Sequence, residues 1–220
     1  MFIVSLWKDL NLSARVGLFI VLFFSFCAIF APWLAPYGES QLVGDVWEPI
    51  GGKYLFGTDQ IGRDILSRLI YGARNTMTLA LISTTVSFTT GAVLGFIAAT
   101  MGGTVDQVLS RIVDVIISIP TLIASLIVLS AVGTATPTLV LVIGIIYSMP
   151  VFRIARAVAM DIEVMEFVEA ARLRGEGLWW IMRKEILPNA LTPLASLFSL
   201  LFFFFFFLFP SFSLLSLLLL

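Results

Sequence analysis

The chain has 220 residues, 60% of them hydrophobic and 12% charged, with a mean hydropathy of +1.06 and a formal net charge of −1. Soluble domains carry about a quarter charged residues, so the composition is that of a membrane protein, and the near-neutral balance gives nucleic acid no footing. Histidine is absent and Cys27 is the only cysteine, which excludes histidine triads, histidine metal sites and an intrachain disulfide.

Residues 1–15 read as a short polar lead carrying Lys8 and Arg15, and residues 16–35 as the first apolar stretch. A spanning helix needs about 20 mainly apolar residues. The run is too long for the core of a signal peptide, and Phe24-Ser25-Phe26-Cys27 is a poor lipoprotein cleavage site, so an uncleaved span is expected. Trp33 and Tyr37 fall where an interfacial aromatic belt would sit.

Residues 36–76 form a long loop. Nucleotide binding finds no support in it: Gly51-Gly52-Lys53-Tyr54 lacks both the spacing and the hydroxyl of a phosphate-binding loop. If ATP drives this protein, another chain must bind it. Over Ile61–Arg74, at about 100° per residue, Ile61, Ile65, Leu66, Leu69, Ile70 and Ala73 share one half-circle. Arg63, Asp64, Ser67, Arg68, Tyr71 and Arg74 share the other, and Thr58 or Asp59 offers an N-cap. This pattern suits a helix lying in the membrane interface, or one packed on a small outer fold.

Further spans are expected at Met77–Met101, Ile112–Val132 and Thr138–Phe152, with a fifth starting after Pro188 near Leu191. Pro120 and Pro150 should kink the spans that hold them. Asp114 is the one acid in an apolar stretch; it lies about a turn from Arg111, so a local pair or snorkelling accounts for it as well as a role in transport would. Basic residues orient the chain. With the N-terminus inside, the cytoplasm receives Lys8, Arg15, Arg111, Arg153, Arg156, Arg172, Arg174, Arg183 and Lys184, leaving only Lys53, Arg63, Arg68 and Arg74 of the 13 outside.

The segment Glu169–Ala190, "EAARLRGEGLWWIMRKEILPNA", then faces the cytoplasm. Over Glu163–Arg174, Val164, Phe167, Val168 and Ala171 make one apolar stripe, and Glu169 can pair with Arg172 at i, i+3. Gly175 falls where a left-handed C-terminal cap is wanted, and Gly177 adds a second permissive position. A second helix, Leu178–Ile186, precedes Pro188, which suits the first turn of the next span. Such a helix pair either docks into a groove on a soluble partner or packs on its own helix ends.

Glu169-Ala170-Ala171, three residues, Gly175, then Ile186-Leu187-Pro188 resembles the EAA loop of permease subunits of bacterial ABC importers. "FGTDQIGRDILSRLIYGARNTM" (Phe56–Met77) and "VDQVLSRIVDVIISIPTL" (Val105–Leu122) are similar to the peptide/nickel subfamily, dipeptide and oligopeptide permease C type. The likeness covers residues 10–195. It implies an all-α integral membrane protein, a polytopic bundle of the type I importer permease kind, in the bacterial inner membrane. The permease core is 77–195 and the cytoplasmic coupling loop 153–188. By the same resemblance Glu169, Ala170, Ala171 and Gly175 would form the ATPase-docking turn, and Ile186, Leu187 and Pro188 would join it to the fifth span. The implied partners are the lipid bilayer, a second homologous permease subunit, two cytoplasmic ATPases and an extracytoplasmic solute-binding protein. The implied cargo is a peptide, nickel or a related small solute, with no catalytic residue, cofactor or metal in this chain.

Residues 196–220 contain only Phe, Leu, Ser and Pro, including six phenylalanines at Phe202–Phe207. All four are encoded by pyrimidine-only codons, so either a reading-frame artefact or an unusual lipid-facing span would produce this tail. About five spans are expected, four of them clear, with the family's usual sixth missing. An inactive truncated fragment that inserts without transporting is therefore the alternative to an importer subunit. A secondary transporter has little support, because buried ionisable residues are nearly absent.

Overall fold

The computed structural model describes residues 11–133 and 135–218, with side chains for all of these except 13, 14 and 209–218. Lys8 and most of the expected N-terminal segment lie outside the described residues. The fold is all-α: the described residues form nine α-helices and one π-turn, and β structure among them is limited to three isolated bridges. The chain divides into two compact units, residues 1–78 and 79–220.

In the first unit, helix α1 (Leu12–Ile29) and the short α2 (Ala31–Leu34) replace the single span expected over 16–35. Pro32 is the reason for the break: it has no N–H to give to residue 28, and the helix resets at Phe30. The apolar part of α1, Arg15–Ile29, is shorter than a full span.

Residues 36–64 fold on themselves. Bridges pair Leu42 with Arg63, Gly51 with Tyr54, and Thr58 with Asp64. Buried Thr58 donates its hydroxyl to the Asp45 carbonyl at 2.5 Å and accepts from the Glu48 N–H at 2.8 Å. Asp59 accepts from the N–H groups of Ile61 and Arg63 and from both the Arg63 and Arg68 guanidinium groups. Burial pushes the Asp59 carboxyl up, but these donors more than offset that and hold its pKa at about 2.

The helix expected over Ile61–Arg74 is not a separate element, and neither Thr58 nor Asp59 caps it. Helix α3 runs unbroken from Ile65 to Met101, and Asp64 is its cap: a carboxylate oxygen accepts from the Ser67 N–H at 2.8 Å and its hydroxyl at 2.6 Å. The Ser67 hydroxyl in turn accepts from the Tyr37 N–H, and Arg68 reaches Asp59 at 2.6 Å. The first turns of α3 therefore pack on the small fold of residues 36–64, the second of the two arrangements the sequence allows.

The second unit holds the rest of α3, α4 (Gly103–Ile117), α5 (Thr121–Val132), α6 (Thr136–Glu163), α7 (Glu166–Leu173), α8 (Leu178–Ile181), the π-turn Met182–Ile186 and α9 (Leu187–Leu218). Helices at Ile65–Met101, Thr136–Glu163 and Leu178–Leu208 are long and apolar enough to cross a membrane. The span expected over Ile112–Val132 is instead two helices bent by 87° at Pro120. Proline disfavours the helical region for the residue before it, and Ile119 leaves the helix there. Pro150 does not end its helix: α6 continues through it.

Glycines let α3 and α6 approach at backbone distance. A methyl group on Gly95 would lie 2.8 Å from the Phe152 carbonyl and 2.9 Å from the Arg156 nitrogen, and one on Gly144 would lie 2.7 Å from Val86. Without water between them, membrane helices associate through such close packing. The main core joins Ala92, Phe96 and Ala99 of α3 to Val151, Ala155, Ala159 and Ile162 of α6 and to residues of α7, α8 and α9. The phenylalanine-rich segment lies within α9, where Phe205 is buried with Ala80 and Ile143.

Candidate functional site

The segment between α6 and α9 folds as a helix–turn–helix. Helix α7 starts at Glu166 rather than Glu163, which ends α6; Ala171 and Val168 are fully buried, whereas Val164, expected on the same apolar stripe, is 84% exposed. The stripe splits because the chain turns at Val164–Met165, so Val164 is no longer in helical register with Val168. Arg172 pairs with Glu163 rather than Glu169. Glu163, carried by the end of α6, comes within reach once that turn has folded the two helices together.

Gly175 is the pivot. Its φ is +84°, its N–H donates to the Arg172 carbonyl at 2.9 Å, and the Glu176 N–H donates to the Ala171 carbonyl at 3.2 Å. These two bonds are the paired closure of a Schellman cap, which requires a left-handed residue at that position. Gly177 has an ordinary φ of −72° and serves as the N-cap of α8, so the second permissive position is not used.

Beyond the turn, Ile181 and Ile186 are buried with Val168 and Ala171 against Ala155, Ala159 and Ile162 of α6. Pro188 lies in the first turn of α9, as expected, but the chain is not interrupted there. The π-turn Met182–Ile186 runs directly into α9, and the Leu187 N–H donates five residues back to the Met182 carbonyl. The wider turn absorbs the N–H that Pro188 lacks, and the helix pair joins α9 without a break. Arg174 stands 5.9 Å from the Trp180 ring and 3.7 Å from the Glu185 carboxylate, linking the two arms.

Of the residues expected to dock, Glu169, Ala170, Gly175, Leu187 and Pro188 are exposed, while Ala171 and Ile186 face inward. Around them lies an apolar surface that, Val164 apart, the sequence pattern did not single out: Leu173 is 83% exposed, Trp179 69%, and Val164, Met165 and Leu178 join them. Hydrophobicity alone does not separate Leu173 from Val168; only the position of the cap and turn does. Asp114 also has a different partner from the expected one. It accepts from Arg153 of α6 at 2.5 Å, not from Arg111, and Asp106 pairs with Arg156.

The architecture is thus a bundle of helices long and apolar enough to cross a membrane, with a short helix pair packed on two of them. Residues 91–219 match the family described as "Binding-protein-dependent transport system inner membrane component", and residues 5–45 match the "N-terminal TM domain of oligopeptide transport permease C". The chain belongs to the first of these families. It is 35% identical to the di/tripeptide transport system permease protein DppC of Pseudomonas aeruginosa, over 84% of this chain and 63% of that protein. It is 33% identical to the dipeptide transport system permease protein DppC of Haemophilus influenzae, over 84% and 65%, and 30% identical to that of Bacillus subtilis, over 84% and 59%. The chain therefore spans about three-fifths of the length of these curated relatives.

Proposed function

We propose that this chain is a permease subunit of an ATP-driven inner-membrane importer of dipeptides or other short peptides, and that α7, the Gly175 turn and α8 transmit closure of partner ATPases to the spans. One observation carries the reading: the Schellman-capped pair is rigid beneath, where Val168, Ala171, Ile181 and Ile186 are buried, and apolar on its free side, where Leu173 and Trp179 are not. A helix pair with those two faces is suited to sit in a groove and to move what it is attached to. The basic residues of the 153–184 segment place it on the cytoplasmic side in this reading, with the N-terminus also inside. Its partners are then two ATPases, a second permease subunit and an extracytoplasmic binding protein. The cargo of the relatives favours peptides over nickel.

The test is site-directed cross-linking. With Cys27 replaced by serine, a cysteine at Leu173 or Trp179 should trap an ATPase subunit in the assembled complex, and the same cysteine at Leu42 in the outer fold should not. Radiolabelled dipeptide uptake in a strain lacking its own permease C subunit should depend on this chain. Absence of any ATPase adduct at both coupling positions refutes the docking role.

A further inference from the structure

Two ion pairs join α4 to the end of α6, and neither is needed to explain the docking surface. Asp106 accepts from both Nε and Nη2 of Arg156, fifty residues away, with the two side chains only 18% and 29% exposed. Asp114 accepts from Nη2 of Arg153 at 2.5 Å, in a half-exposed setting. We propose that Asp106 and Arg156, with Asp114 and Arg153 as a second point of attachment, are positioning residues for energy coupling. They clamp α4 to α6 so that α4 moves with the coupling pair as one body. This inference rests on the coupling role proposed above and adds the element to which the motion is delivered.

The geometry explains why the contact holds orientation as well as proximity. A bidentate guanidinium–carboxylate fork fixes direction, which a single point charge does not. Asp106 and Asp114 are separated by about 12 Å along α4, whereas Arg153 and Arg156 share one turn of α6, about 4.5 Å apart along its axis. The two arginines therefore fan from one turn onto two widely spaced points. One pair alone is a pivot; two prevent rotation about it.

The same turn of α6 is held from its other sides. Gly95 of α3 meets the Phe152 carbonyl and the Arg156 nitrogen at backbone distance, and Ala155, Ala159 and Ile162 pack with Val168, Ala171, Ile181 and Ile186. A displacement of the coupling pair thus passes into 151–162 by packing and on to α4 by the ion pairs. An apolar contact between α4 and α6 alone would let the two slide; the directional pairs set their register. Helix α4 leads into α5 through the 87° bend at Pro120, so the clamp places the broken element under the control of the coupling pair.

Spin labels at Val108 on α4 and Met160 on α6, both exposed, in a Cys27→Ser background, read the clamp directly. The chain is measured in nanodiscs, alone and assembled with its partner subunits, with and without ATP. One narrow distance, unchanged by nucleotide, is expected. Asp106→Arg or Arg156→Asp should each lose it, giving a broad and nucleotide-dependent distribution, and the double reversal should restore the narrow one. A single reversal that leaves the narrow distance intact, or a double reversal that fails to restore it, overturns the clamp. Co-purification of the ATPase is scored in parallel. If the unmodified chain captures no ATPase, the docking reading falls, while the distances in the inserted chain still decide the clamp.

Discussion

Gly175 is the position at which sequence, backbone geometry and proposed function meet most directly, and its substitution separates local strain from side-chain contact. A methyl group there would meet nothing within 4 Å, so Gly175→Ala introduces no clash. What it introduces is backbone cost, because φ is +84° and a residue with a Cβ resists the left-handed region by about 1–2 kcal/mol. That corresponds to a roughly 5- to 30-fold smaller population of the capped turn. Asparagine tolerates left-handed backbone better and should fall between glycine and alanine. Valine, stiff at its branched Cβ, should exceed alanine. Proline should be worst, since its φ is fixed near −65° and it deletes the N–H that donates to Arg172. The assay is ATPase co-purification from detergent extracts, together with the ratio of ATP hydrolysed to dipeptide taken up, with membrane insertion checked by protease accessibility. The order Gly, Asn, Ala, Val, Pro should appear in coupling while insertion stays unchanged. Wild-type coupling in Gly175→Val or Gly175→Pro would refute the requirement for a left-handed turn.

Trp179→Ala removes the largest exposed side chain of the helix pair, and should cost about 2 kcal/mol of ATPase affinity, roughly thirtyfold, with little change in thermal stability; titration of the purified ATPase against the inserted chain measures it. Gly95→Val forces a branched side chain into a gap of 2.8–2.9 Å against backbone atoms that cannot yield, so a destabilisation of about 3 kcal/mol or more should appear as a lowered unfolding midpoint in detergent. Asp59 supplies a pH test. Its pKa falls from 3.8 unfolded to about 2 folded, so its contribution is complete above about pH 4 and is lost as pH drops through 2. Asp59→Asn should weaken the fold of residues 36–64 at pH 6 and remove the Asp59 share of its acid sensitivity, as followed by limited proteolysis of residues 43–63 at graded pH.

Local chemistry was readable at particular residues. Gly175 announced a left-handed cap because the apolar pattern stops there and no other residue adopts that backbone cheaply. Pro120 announced a kink, because proline disfavours helix before it, but not that the expected span would become two helices bent by 87°. What sequence could not resolve was which of several equivalent partners a side chain meets. Asp114 had Arg111 a turn away, but Arg153 reaches it from another helix; Arg172 had Glu169 at helical spacing, but Glu163 lies across a turn. In both cases the tertiary partner replaced the local one. Pro188 sits in the first turn of α9 as expected, but the break it suggested is absent. The rule that proline restarts a helix assumes a regular ladder, and the π-turn before it changes that ladder by one residue. The start of α3 was displaced similarly: Asp59 and Asp64 both carry capping chemistry, and the bonds made by the loop, not the residue types, decide between them.

The unbroken path from Leu178 through the π-turn into α9 bears on how a short helix pair moves a span. A flexible joint at Pro188 would let the pair follow an ATPase while the span stayed behind. Because the backbone hydrogen bonding runs through the joint, and because Ile181, Ile186, Ala190 and Leu194 share one core with Ala155 and Ala159, the pair is continuous with α9 on one side and packed on α6 on the other. Rotation of the pair therefore requires rotation of both spans, or rupture of that core. A core of alanines and isoleucines resists rupture through dispersion and close packing over many atoms, and small residues on α6 bring the pair near enough for those contacts to form. In the proposed coupling role, the joint between the helix pair and its two neighbouring helices is thus held by packing around Ala155 and Ala159 and by backbone geometry at Gly175, while the ion pairs of α4 act further along α6.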